Sequence, residues 1–587
     1  MNDDKPESIW KKSWKGPRLF LLWLALMIVT LVLFSIGVLI SGKPFTEPSN
    51  FKMVLIAGVV TASLLFVLWL FLRWLCCWKN FRRFLFGLAC LATLVALAYA
   101  EEDWRGWHAW NRFKHEWETK GEEFDYAGVI PPPVPDDQNF AMAPIWVESM
   151  KAVLGPTNSL LWFRNFVENG RTNFVDRLGM PLVADYADWP TNGAGDWQKA
   201  ALTDLKLWQN YYRTLAARTN LFPVAPQPQT PARDVLLALS KYDSAIEELR
   251  EASRRPYSRF PLYSDPERPF DTLLPHLATL KRCTQVLRLR AIAELQNGQS
   301  DKALDDVKLL LRLIDSIHTE PFLISHLVRI ALLQLALQPI YEGLAEHKWS
   351  DAQLAELDGE LAKLDFLADY ELSMRGERAC SIATVDHLRR TRDLGILEGP
   401  DETYAKFRSF FVRLVPSGWF YLNDLALARM CQYDLLPLAD VQQQIVSPEV
   451  VRRANDAEVN FSKNASRITF IARMVYPTLS QAVKKFAYAQ SSVDLARTAI
   501  VLERYRLAHG EYPESLDALA PQFMAKIPRD IINGQPLHYR RTAGGQFVLY
   551  SVGWNETDDG GVVVLYKGSS DRIDLIRGDW VWRYPAR

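Results

Sequence analysis

"LFLLWLALMIVTLVLFSIGVLI" (Leu19–Ile40), "MVLIAGVVTASLLFVLWLFL" (Met53–Leu72) and "FLFGLACLATLVALAYA" (Phe84–Ala100) are three apolar runs without a charged side chain. About 20 such residues in a helix cross ~30 Å of hydrocarbon. The first two runs meet that length and the third lies near its lower limit, so residues 19–100 read as a three-helix membrane anchor. A cleaved signal peptide would carry an apolar core of only about 7–15 residues followed by a small-residue cleavage site. "SIGVLISGKPF" fits neither, and the first run is expected to stay in the chain.

Lys and Arg close to the spans set their orientation. Lys5, Lys11, Lys12, Lys15 and Arg18 precede the first run, and Arg73, Lys79, Arg82 and Arg83 fill the loop between the second and third. The other loop holds only Lys43 and Lys52. The expected topology has the N-terminus and the "RWLCCWKNFRRF" loop in the cytoplasm and everything after Ala100 outside. Trp74 and Trp78 suit the interface, where an indole keeps its ring in lipid and its N–H in water. Ionisable groups inside spans mark ion or proton paths, and these runs hold no charge, which favours an anchor over a transporter. Gly58 with Ala62, and Ala92 with Ala96 and Ala100, would let helices approach closely.

The chain has 587 residues, enough for three or four units at about 150 residues each. Lys+Arg and Asp+Glu number 68 each, so there is no net basic field to attract nucleic acid, and none is expected as a partner. Cys283, Cys380 and Cys431 are an odd set outside the anchor, which argues against a disulfide framework.

Beyond the anchor, Trp104, Trp107, Trp110, Phe113 and Trp117 recur near the helical period. Such a stripe either lies in the membrane interface or packs on the domain above it. His108 and His115 share a face and could pair on a metal, but no third ligand is evident and a solvated or packed pair is the plainer reading. "PPPVP" (131–135) is a stiff spacer. "DWQKAALTDLKLWQNYYRTLAAR" (196–218) reads as an amphipathic helix, and helix follows helix from Thr230 to about Leu367. Thr230 before Pro231 is an N-cap, and Ser350 with Gln353 forms a capping box. The pair joined by "NGQSDKAL" resembles a tetratricopeptide helix-turn-helix, without the full repeat signature. "PFLISHLVRIALLQLALQPIYEGL" (321–344) is very apolar but contains His326, Arg329 and Gln334, which a span would strand in lipid. It reads as a central buried helix.

From Ser491 the pattern is a helix stopped by Gly510, a short helix between prolines (511–530), and period-two strands around Gly544–Gly545. This order, with Glu503, Tyr505, Gly510, Tyr512, Pro513, Leu516, Pro528, Asn533, Gly534, Tyr539, Tyr550, Ser551 and Gly553, resembles the globular head of the type II secretion major pseudopilin. The likeness covers about 70 residues. The whole chain also resembles a group of uncharacterised bacterial membrane-anchored proteins, which brings no activity with it. A pseudopilin has one span, continuous with its head helix and preceded by a prepilin peptidase site. Here the spans lie far upstream and no such site precedes Leu19, so polymerisation as a pilin is not expected. Heads of that family hold Ca²⁺ after the "YSxG" strand. The corresponding "GWNETDDGG" offers Asn555, Asp558 and Asp559 as hard oxygen ligands, although the same residues make ordinary turns.

The expected fold class is therefore a membrane-anchored, mainly α protein with three transmembrane helices, an irregular repeat-like helical middle and a small α+β pseudopilin-like head. Its parts are a cytoplasmic N-terminus (1–18), the anchor (19–100), an aromatic juxtamembrane helix with a Pro-rich spacer (101–147), a helical domain (148–480) and the head (481–587). No G-x-S-x-G elbow, H-E-x-x-H helix or Walker-A loop is present. The expected role is a periplasmic interaction or scaffold protein in the bacterial inner membrane. It would bind the lipid bilayer and other envelope proteins, and would be linked to a secretion or pilus-like system. The alternative is an envelope hydrolase whose site forms only in the fold.

Overall fold

The computed structural model describes residues 16–40, 48–154, 193–219, 222–265, 268–393, 412–464, 468–475, 479–568 and 572–585. Lys5, Lys11, Lys12 and Lys15, and the loop with Lys43, lie outside these. Two compact units emerge, Met1–Glu102 and Asp103–Arg587, fewer than chain length alone suggests.

The first unit contains α1 (Gly16–Ile40), α2 (Pro48–Leu75) and the start of α3 (Trp78–Glu118). α1 and α2 pack closely. Thr30 Oγ1 reaches the Gly58 carbonyl at 2.9 Å, and Trp23 Nε1 donates to Ser63 Oγ at 3.2 Å. A Cβ on Gly58 would lie 2.5 Å from Leu31 Cδ2, and Ala62 is fully buried, so this small-residue pair is used as its spacing suggests. Ala92, Ala96 and Ala100 are instead exposed, and the expected close approach on α3 is not made. Most other apolar side chains of these helices are also exposed. α3 is one unbroken helix of 41 residues, about 60 Å long at 1.5 Å per residue and twice what a hydrocarbon core requires.

The second unit is mostly helical. It continues through α4 (Pro144–Leu154), α5 (Leu205–Thr219), α6 (Pro231–Leu239) and α7 (Asp243–Ser253) to a hairpin of β1 (Tyr263–Asp265) and β2 (Arg268–Leu273). Then come α8 (His276–Gln296), α9 (Ser300–Asp315), α10 (Leu323–Ala345), α11 (Asp351–Leu361), α12 (Phe366–Thr391), α13 (Ser417–Met430), α14 (Pro448–Asn464), α15 (Phe470–Val475) and α16 (Val483–His509). The local signals act as chemistry requires. Thr230 accepts from Arg233 N, both arms of the Ser350–Gln353 box form, and Gly510 closes α16 at φ +86°. α5 begins at Leu205 rather than Asp196. Ala200 takes a left-handed φ of 56°, which ends a single turn, and the Asp204 carboxylate caps the N–H groups of Lys206 and Leu207. The segment between the later prolines holds one 3₁₀ turn, Leu516–Leu519.

Strands gather near the C-terminus: β3 (His538–Arg541), β4 (Phe547–Ser551), β5 (Val563–Leu565), β6 (Ile573–Gly578) and β7 (Trp580–Arg583). β3, β4 and β7 form an antiparallel sheet with Leu549 between Tyr539 and Trp582, and β5 pairs with β6. Trp582 is fully buried, 5.2 Å from the Trp197 ring and 5.5 Å from Tyr341. One apolar core runs from Phe140 to Tyr584. α16 packs on α10, α11, α12 and β7, so the C-terminal strands and the helical middle share that core across residue 480.

α10 is apolar and long enough to cross a membrane, as are helices in the anchor. Yet it lies in the centre of this unit, against α8, α9, α12 and α16. Its polar residues find partners inside. Gln334 accepts from Gln198 at 2.7 Å, Gln338 accepts from Trp197 N at 2.6 Å, and Glu342 accepts from Thr203 N and Oγ1 at 3.0 and 2.6 Å. Spaced four apart, these three form a stripe that fastens the 196–203 loop to the helix.

Candidate functional site

The Gly553–Gly561 loop is closed by hydrogen bonds within the protein. Asp558 Oδ1 accepts from Tyr550 OH and from Gly560 N, both at 2.9 Å, and its Oδ2 lies 3.4 Å from His538 Nδ1. The Gly560 N–H, the Tyr550 hydroxyl and nearby His538 hold the Asp558 carboxyl below its usual range. Asp559 instead accepts from Asn555 Nδ2 at 2.8 Å. Asp558 thus turns to β3 and β4 while Asn555 and Asp559 meet each other. The carboxylate that organises the loop is Asp579, which accepts from the N–H groups of Asp559, Gly561 and Val562 at 3.2, 2.7 and 3.3 Å. Among the described residues no group of three or more His, Cys, Asp or Glu side chains is placed to hold a metal. His108 stacks on Trp104 with ring centroids 5.3 Å apart.

Several of the residues on which the pseudopilin expectation rests are hydrogen-bonded within the fold. Tyr512 OH donates to Glu503 at 2.7 Å, and Tyr539 OH donates to the Pro513 carbonyl at 2.7 Å. Ser551 Oγ donates to Asp530 at 2.8 Å, and Asp530 also accepts from Val552 N and Ile532 N. Glu503 further accepts from Arg506, and His347 Nδ1 lies 2.8 Å away. Desolvation pushes the Glu503 carboxyl up, but Arg506, His347 and Tyr512 together outweigh it and hold the group at about 2. These links fix the end of α16 to the sheet.

The strongest chemical cluster lies elsewhere and no local pattern announces it. His276 Nε2 is 2.7 Å from Glu320 Oε1, Ser325 Oγ donates to the other oxygen of Glu320, and His326 Nε2 donates to the Glu320 carbonyl at 2.7 Å. Arg329 pairs with Asp369 one turn further along α10. Burial, with Arg329 beside it, pulls His326 down to about 4, so its imidazole is neutral at pH 7. Burial also lowers Arg329 to about 10, which leaves it charged. Ser, His and a carboxylate are together, but in the wrong order. A hydrolytic triad places the imidazole between nucleophile and carboxylate, whereas here Glu320 sits between Ser325 and His276. His276, Ser325 and His326 are also fully buried, and Phe260 stacks on His276 with centroids 4.4 Å apart. No substrate reaches this cluster in the folded protein.

A second buried group is Asp424 on α13, whose two oxygens have no hydrogen-bond partner among the described residues. Desolvation, helped by Asp386 and opposed by Arg389 and Lys114, pushes its carboxyl well above the ordinary value. A cavity of about 540 Å³ is lined by Thr203, Lys206, Arg233, Asn297, Glu342 and Glu346 among others. It carries charge of both signs and no histidine. No family model, curated protein or solved structure matches the chain.

Proposed function

We propose that this protein is a membrane-anchored scaffold of the bacterial envelope. α1, α2 and the first half of α3 are its three inner-membrane spans, the N-terminus is cytoplasmic, and the large unit presents a binding surface in the periplasm. One observation carries the choice of scaffold over hydrolase: the His–carboxylate cluster around Glu320 is sealed in the core and ordered against nucleophilic catalysis, while the described cavities contain no such cluster. The exposed apolar sides of α1 and α2 support the anchor. The mutual bonding of Glu503, Tyr512, Asp530 and Ser551 supports a pseudopilin-like head, and with it partners from a secretion or pilus-like system.

Two measurements test the reading. A phosphatase reporter fused after Arg587 is expected to be active and one placed in the Lys79–Arg83 loop inactive; the reverse pattern removes the periplasmic assignment. Cross-linking in intact cells, followed by isolation from detergent-solubilised membranes, is expected to recover secretion or pilus components. Recovery of the chain alone would remove the scaffold.

A further inference from the structure

The aromatic stripe on α3 divides within one turn. Trp110 and Phe113 are buried against α12 and α13 residues Ile382, Leu425 and Ala428, whereas Trp104 and Trp107 are 64% and 50% exposed. Two further apolar side chains of the same unit are open, Leu414 at 54% and Met474 at 41%. All four belong to elements that converge on the first two turns of α13. Asp103 Oδ1 accepts from Gly418 N at 2.6 Å, and a Cβ on Gly106 would lie 2.1 Å from the Gly418 carbonyl oxygen, so α3 and α13 touch backbone to backbone. Arg392 holds the 412–417 turn through Val415 O and Ser417 Oγ, and Asn423 holds α15 through Ala472 N and Ile468 O.

We propose that this face of the large unit, Trp104, Trp107, Leu414 and Met474 with Arg413 and Arg473, lies on the surface of an anionic phospholipid bilayer. The inference rests on the anchor reading above and adds a second lipid contact to it. Helix rise supplies the depth. Trp104 follows Ala100, the end of the apolar run, by about 6 Å and Trp107 by about 10 Å. The headgroup region on each side of the hydrocarbon is ~5–8 Å thick. Trp104 therefore falls at the level where such a ring keeps its body in lipid and its N–H group in water, and Trp107 lies one turn further out, just above that layer. Leu414 and Met474 are tied through α13 to the same turn of α3. Arg413 and Arg473 precede them in sequence and are exposed. An arginine next to an apolar tip matches a phosphate above an acyl boundary.

The test uses the full chain in anionic phospholipid nanodiscs, with Cys76, Cys77 and Cys90 changed to Ser. Cys283, Cys380 and Cys431 are buried and stay. Leu414→Cys and Met474→Cys, each spin-labelled, are compared with Ile576→Cys on β6, which is 52% exposed, and with Leu64→Cys in α2. Collisions with oxygen, which favours lipid, and with a water-soluble nickel complex are measured. The expected result is an oxygen-to-nickel ratio at 414 and 474 several-fold above that at 576. Equal ratios at 414, 474 and 576 overturn the inference while a lipid-like reading at 64 leaves the anchor standing. A water-like reading at 64 overturns the anchor itself. Shielding of 414 and 474 from both reagents would mean protein covers the face, and also overturns the inference.

Discussion

Replacing Glu503 with Gln tests how the end of α16 is tied to Tyr512 and His347. The carboxylate is 1% exposed and accepts from Arg506 Nε and Nη2 at 2.8 and 2.7 Å and from Tyr512 at 2.7 Å. Its folded value of about 2, against an ordinary 4.5, corresponds to about 3 kcal/mol at 1.36 kcal/mol per unit. The sign follows from linkage. A depressed folded value means that ionised Glu503 stabilises the fold above about pH 4.5, and that this contribution disappears as pH falls toward 2. Glu503→Gln keeps the shape and removes the charge. Urea unfolding in detergent, followed by tryptophan fluorescence, should show the variant about 3 kcal/mol less stable at pH 7. The gap between wild type and variant should shrink steadily below pH 4.5, where Glu503 takes up a proton in the unfolded chain, while other carboxylates titrate in both proteins and cancel. A gap that stays constant from pH 7 to pH 3 would falsify the claim that Glu503 is held ionised by its neighbours.

Three other outcomes are expected. Gly376→Ala should lower the urea midpoint by the equivalent of about 1–3 kcal/mol, since its Cβ would lie 1.6 Å from the Pro321 carbonyl oxygen; an unchanged midpoint would refute that close approach. Cys283 and Cys431, whose thiols burial pushes up to about 12, and Cys380, pushed in the same direction, should react with a thiol reagent at pH 8 only after unfolding, while Cys76 and Cys77 react in the native protein. Rapid native labelling of Cys283 would contradict its burial. The melting temperature should be the same with Ca²⁺ or with chelator, because Asp558 and Asp559 face different partners; a Ca²⁺-dependent rise that vanishes in Asp558→Ala would instead support the metal reading.

Features governed by neighbours in sequence were legible. Apolar runs, the Thr230 and Ser350 caps, the Gly510 stop and the strands after Pro536 depend on a few adjacent residues, and all appear in the structure. Contacts between distant residues were not. Nothing near Glu320 in sequence points to His276, and Asp369 is 40 residues from Arg329. Asp579 lies 18 residues beyond the Gly561 N–H it binds, so the loop's carboxylates were visible while the one that organises it was not. The long helix at 323–345 shows the limit most clearly. Its apolarity suits either lipid or a protein core, and its polar residues, among them His326, Arg329, Gln334, Gln338 and Glu342, each answered by a partner, decide between them.

Those residues have a consequence before folding as well. In the topology proposed above the large unit would be exported unfolded, and α10 would follow three spans with a mean hydropathy of 1.5, against 2.8, 2.6 and 1.9 for the three helices before it. Arg329 alone costs about 2.5–3.5 kcal/mol at the centre of an inserted helix, before Glu342 and the glutamines are counted. In that topology Gln334, Gln338 and Glu342, which stitch the 196–203 loop to the core, would together with Arg329 also keep this segment out of lipid, and a chain with all four turned apolar is expected to gain a further membrane crossing.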